Sequence, residues 1–116
     1  MNETENQDRH HYFWMMKTLE AYQEGQIGLG NLIHVLETYL LELHNKTDTW
    51  ETSFYNHWGK LEIIYASRIG QTPFQLTDRD HSVIAEAIAN LKDMIRPKLD
   101  DEGTSRLTRG KRERKG

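Results

Sequence analysis

Cysteine is absent from this chain of 116 residues, which removes disulfides, thiolate metal ligands and a thiol nucleophile and points to a reducing compartment. Proline occurs only twice, at Pro73 and Pro97, so most of the chain is free to form uninterrupted helix. Long hydrophobic runs are missing as well. The longest, Tyr12 to Met16, falls far short of the roughly 20 apolar residues a membrane-spanning helix requires. The opening Met1-Asn2-Glu3-Thr4-Glu5 lacks the basic and apolar regions of a secretory leader. These absences predict a soluble, cytoplasmic protein. What remains is 36% apolar and 28% charged, with a mean hydropathy of -0.82. That is enough apolar material for one core, with part of the chain left outside it.

The net charge of -3 is unevenly spread: the segment Arg106–Gly116 carries +5 and everything before it -8. This basic end holds Leu107 as its one large apolar residue, so residues 100–116 are expected to be a disordered basic tail. Residues 1–7 are polar and are expected to be a disordered N-terminus, leaving residues 8–99 as the folded domain.

Within that domain the apolar residues recur with a period near 3.6 and never alternate in twos, which predicts an all-α fold. In the first helix Asp8 is the expected N-cap, Tyr12, Met15, Met16, Leu19 and Tyr22 share a face, and Gly25 suits the left-handed C-terminal position. In the second, Leu29, Leu32, Ile33, Leu36, Tyr39, Leu40 and Leu43 form a stripe that ends near Asn45. The third opens on a capping box of Asp48 and Glu51, carries Trp50, Phe54, Trp58, Leu61, Ile64 and Tyr65, and ends at Gly70. In the fourth, Thr77 caps, Asp80 occupies the third helical position, and Val83, Ile84, Ala87, Ile88, Leu91, Met94 and Ile95 repeat until Pro97 stops the helix. Short connections between such stripes predict a four-helix up-down-up-down bundle. Trp50, Phe54, Trp58 and Tyr65 are expected to fill its centre.

Catalytic chemistry finds little footing. His34 with Glu37 and Asp78 with His81 have the spacing of one helical turn, but the paired Glu-x-x-His motifs and two further glutamates of a bundle di-metal site are missing, so neither metal nor cofactor is expected. No serine sits in a nucleophile elbow. Gly25, Gly28 and Gly30 match neither a dinucleotide fingerprint nor a phosphate loop and read as turn residues. Without a cleft to split carboxylate pKa values, an acid–base pair has no support, and the chain reads as a non-enzyme. Asn2-Glu3-Thr4 and Asn45-Lys46-Thr47 have the form of glycosylation sequons, which carry no meaning without a secretion signal.

Surface character is more informative. From Thr18 to Glu62 there are seven acids and two bases. Projected at 100° per residue, Glu51, Tyr55 and Glu62 border the apolar stripe of the third helix, and Glu37 borders that of the second, with Glu42 more outward. Acids interleaved with aromatics suit a basic protein partner. The candidate contact residues are therefore Glu37, Glu42, Asp48, Glu51, Tyr55 and Glu62. Phe13 and Trp14 fall outside the first helix's apolar face, so at least one should be partly exposed.

The run Tyr22-Gln-Glu-Gly25-Gln-Ile27-Gly-Leu29-Gly-Asn-Leu32-Ile33-His-Val-Leu36-Glu37, with Trp50-Glu-Thr-Ser-Phe54-Tyr-Asn-His-Trp58-Gly-Lys-Leu61-Glu62-Ile-Ile-Tyr-Ala66, resembles the small all-helical immunity proteins that bacteria encode beside secreted or contact-delivered toxins. The resemblance spans Tyr12 to Ile69 and excludes the basic tail. It implies a non-enzymatic inhibitor that covers the basic active-site face of a cognate toxin, a nuclease fitting the charge argument best. Two other readings stay open: a helical adaptor or regulatory subunit that binds another protein, and a nucleic-acid-associated accessory factor acting through the basic tail.

Overall fold

The stripes of 3.6-residue period become four helices in the computed structural model, which describes the backbone of residues 3–111 and the side chains of residues 3–100. These are α1 (Glu3–Gln23), α2 (Leu29–Leu41), α3 (Asp48–Arg68) and α4 (Asp78–Lys111). No strand occurs among the described residues. Met15, Leu19, Leu32, Leu36, Leu40, Phe54, Leu61, Ile88, Leu91 and Ile95 meet in the centre and are fully buried, each such side chain contributing about 1.5 to 3 kcal/mol of transfer free energy. Among the described residues no helix is long and apolar enough to cross a membrane.

Each helix packs on its neighbours in sequence, and α1 closes on α4. The start of α2 meets the end of α3 where Gly30 faces Tyr65. The end of α3 meets the start of α4 through Arg68 and Asp80, whose two hydrogen bonds measure 2.7 and 3.2 Å. These end-to-end contacts are compatible with an up-down-up-down order.

Local chemistry explains the helix ends. Gly25, at φ 78°, closes α1 in a Schellman arrangement: its N–H donates to Tyr22 O at 3.0 Å, and the Gln26 N–H donates to Ala21 O at 2.9 Å. Thr77 and Asp80 form a reciprocal capping box, side chain to backbone N–H in both directions at 3.0 Å. The cap of α3 lies one residue earlier than expected. Thr47, not Asp48, is the N-cap, its hydroxyl accepting from the Trp50 N–H at 3.1 Å.

Three further expectations are corrected. Asp8 does not cap α1, which begins at Glu3; Glu3 to Gln7 are helical, and Met1 and Asn2 lie outside the described residues. Asp8 is instead buried in the body of the helix, where its carboxylate accepts from the backbone N–H groups of His44 and Asn45, both at 2.8 Å, just beyond α2. A tertiary partner replaces the local one, so the helix has no reason to start there. Secondly, Pro97 lies inside α4 rather than after it. Ile95 is buried, Leu99 packs against the core, and Lys98 Nζ sits 5.6 Å from the centre of the Trp50 ring, so packing on both sides of Pro97 outweighs one lost backbone bond. The helix thereby enters the segment expected to be disordered; the remainder of that tail, residues 112–116, lies outside the described residues. Thirdly, of the four rings assigned to the centre, only Phe54 is fully buried, and Trp50, Trp58 and Tyr65 are half-buried at the periphery.

Candidate functional site

Seven residues are close to two helical turns, so positions seven apart stay on one flank with a drift of only about 20°. On α3 this places Asp48, Tyr55, Glu62 and Ile69 in one row and Glu51, Trp58 and Tyr65 in the next. Both rows border α2. The Trp58 indole N–H donates to the Ile33 carbonyl at 3.0 Å, pinning the two helices together. One turn away the Tyr55 hydroxyl lies 3.5 Å from Glu37 Oε2, a long contact. At the other end, a Cβ on Gly30 would fall 2.8 Å from the Tyr65 ring, so glycine is what lets α2 approach this ring.

The electrostatics of the seam are negative. Burial pushes the Tyr55 hydroxyl pKa above its ordinary value, and the carboxylates of Glu37 and Glu51 add to the shift by opposing a second negative charge. None of Glu37, Asp48, Glu51 and Glu62 forms an ion pair among the described residues. Rings back the acids: Trp50 and Phe54 lie 5.5 Å apart, and Tyr55 and Trp58 meet edge to face at 5.5 Å.

Of the six candidate residues, Glu37, Tyr55 and Glu51 are brought together across the α2–α3 seam, and the exposed Asp48 and Glu62 stand on the same flank of α3 by helical spacing. The sixth, Glu42, turns to the other side of α2, where its carboxylate lies 3.2 Å from His11 Nε2, and the structure does not bring it to the others. Apolar character alone points Trp58 and Tyr65 to the core; the sequence signal for their peripheral place is that each stands seven residues from its neighbour in the series beginning at Glu51. Phe74, in the loop before α4, had no such signal. It is 44% exposed, and Ile69 is 55% exposed. With Leu29, Gly30, His34 and Tyr65 they line a shallow depression of about 600 Å³ at the apolar end of the seam.

A larger depression of about 880 Å³ lies between the start of α1 and the end of α2, lined by Glu3, His10, His11, Glu42 and His44 among others. Its ionisable groups are largely paired within the chain: His11 with Glu42, and His44 Nδ1 with Asp8 at 3.1 Å. Among the described residues no group of three or more His, Asp or Glu side chains converges as a metal site would require. On α1, Phe13 and Trp14 are both exposed, with the Trp14 indole held by His10 Nε2 at 3.0 Å. The chain matches no family model, no curated protein and no solved structure.

Proposed function

We propose that the chain is an immunity protein that neutralises a cognate bacterial toxin by laying the α2–α3 seam over the toxin's basic substrate-binding face. The observation that carries this reading is the row of carboxylates from Glu37, Asp48, Glu51 and Glu62, without a cation of their own among the described residues and backed by the half-buried rings of Tyr55 and Trp58. Carboxylates left unpaired at a surface steer a cationic partner, and aromatic rings beside them supply the contact area that slows its release. The resemblance of Tyr22 to Ala66 to small helical immunity proteins supports the same reading. Inhibition is steric: the seam occupies the channel in which an anionic substrate such as nucleic acid would bind, and no group on the chain has to react.

The test is co-expression in a bacterial host with the toxin encoded beside this chain's own gene. Growth arrest by the toxin alone, and its reversal by the chain, is the expected result. Arrest that persists at equal expression overturns the reading.

A further inference from the structure

The seam has two chemically different ends, and their spacing specifies what fits along it. At one end Ile69 and Phe74 are exposed beside Tyr65, whose ring lies 5.9 Å from that of Phe74. Leu29, Gly30 and His34 complete the depression from the α2 side. It has room for one large apolar side chain. Seven residues along α3 from Ile69 stands Glu62, and fourteen from Ile69 stands Tyr55, in contact with Glu37. At 1.5 Å per residue these lie about 10 and 21 Å from the depression. A polypeptide in the extended polyproline II conformation has three residues per turn and rises about 3.1 Å per residue, so residues three and six positions from the apolar one share its face and lie about 9 and 19 Å along it, within a long cationic side chain's reach of those acids.

Resting on the proposed function, we infer that the seam holds an extended basic segment of the partner protein, with a large apolar residue seated between Ile69, Tyr65 and Phe74 and cations three and six residues away meeting Glu62 and the Glu37–Tyr55–Glu51 cluster. Charge complementarity selects this occupant. The carboxylates along the seam lack ion-pair partners among the described residues, whereas a second copy of the acidic body would bring like charge to like. The apolar end fixes register, because one cation can exchange with another along a row of acids but only one position of the segment places its apolar residue in the depression.

The probe is a fluorescein-labelled, acetylated peptide of the pattern Leu-Ser-Gly-Arg-Ser-Gly-Arg, titrated with the full chain and followed by polarisation. Replacing its leucine by serine, or both arginines by glutamine, should each weaken binding at least tenfold. Phe74→Ser, at an exposed loop position, should match the effect of the leucine change and add nothing when the two are combined. Glu62→Gln should match the effect of removing the first arginine in the same way. Binding indifferent to the leucine and to Phe74 overturns the inference, as does binding that is undetectable for the parent peptide. Sedimentation equilibrium of the chain alone should show a monomer; a dimer that dissociates on Phe74→Ser would assign the depression to a second copy and overturn it too. The toxin reading and this one fail separately. Growth rescue without peptide binding overturns this inference and leaves the toxin reading standing, and peptide binding without rescue removes only the toxin.

Discussion

Asp8 is the residue on which the α1–α2 junction turns. It is buried, which by itself raises a carboxyl pKa, yet the two backbone N–H groups of His44 and Asn45, with the His44 ring, outweigh burial and hold it below its ordinary value of 3.8. Its removal leaves two amides at a partly buried site without an acceptor, and hydrogen bonds to a charged group are worth about 1.5 to 3 kcal/mol each. Asp8→Ala should therefore lower the unfolding free energy by about 2 to 3 kcal/mol, measured by urea denaturation at pH 7. Because the folded-state pKa is the lower one, this contribution is fully present above the unfolded value and is lost as pH falls through the folded value. The parent chain should thus lose stability from about pH 4 downward, and the variant should lose less. It should retain the decline belonging to Asp80, whose carboxyl is taken down to about 2 by the Arg68 guanidinium and the Thr77 N–H. Identical acid limbs for parent and variant would show that Asp8 is not the group that titrates.

Pro97 poses the corresponding question for an element. A proline inside a helix lacks the N–H that would reach the carbonyl four residues back, and its ring crowds that carbonyl, at a cost of about 3 kcal/mol. Here the partner would be Asp93. α4 continues regardless, because Ile95 before the proline and Leu99 after it both pack on the core. Pro97→Ala restores the bond but frees the unfolded chain, which offsets about 0.4 to 1 kcal/mol. The expected net gain is about 2 to 2.6 kcal/mol in guanidinium unfolding, with no loss of helical circular dichroism. Had the helix stopped at Pro97, the substitution would lower stability by about 0.4 to 1 kcal/mol, through the freed unfolded chain alone. The same contrast marks what the sequence made legible. The helix count, the buried stripes of α2 and α4, the Thr77–Asp80 cap and the Gly25 terminus all follow from local periodicity and turn chemistry. The Asp8 start, the Asp48 cap and the Pro97 stop were misread because each was judged on local preference. At Asp8 and Pro97 a contact far along the chain decides the outcome, while at α3 Thr47, one residue earlier, takes the cap. In the site, the nearness of Glu37 and Glu51 to Tyr55 was legible from helical projection. Glu42 was not, because its partner His11 lies on another helix. Nor was Phe74, which packs against Tyr65 from a loop with no periodicity to place it.

Taken whole, the chain separates its charge along its sequence. The net of -3 conceals an acidic body and a basic terminal segment, and α4, 34 residues long, sets the long dimension of the 57 × 27 × 26 Å chain. Steering of a partner depends on the field at the docking face rather than on the total, since at physiological salt charges are screened over about 8 Å. Position along the bundle should therefore matter more than charge count. Glu51→Lys with Glu62→Lys reverses two charges within the seam; Glu42→Lys reverses one on the α1 side of α2, where the carboxylate faces His11. With a toxin that the growth assay has established as partner, stopped-flow association at physiological salt should slow at least tenfold for the double reversal, as expected when a steering field is inverted. It should also lose most of its salt dependence, since the attraction that salt screens has gone. Glu42→Lys should leave both quantities close to the parent values. Circular dichroism of all three proteins should coincide, because Glu42 and Glu62 are exposed, Glu51 is only half-buried, and neither Glu51 nor Glu62 forms an ion pair among the described residues. An equal slowing by Glu42→Lys would mean that the partner responds to the charge of the body as a whole, and the seam would then have no claim to be the docking face.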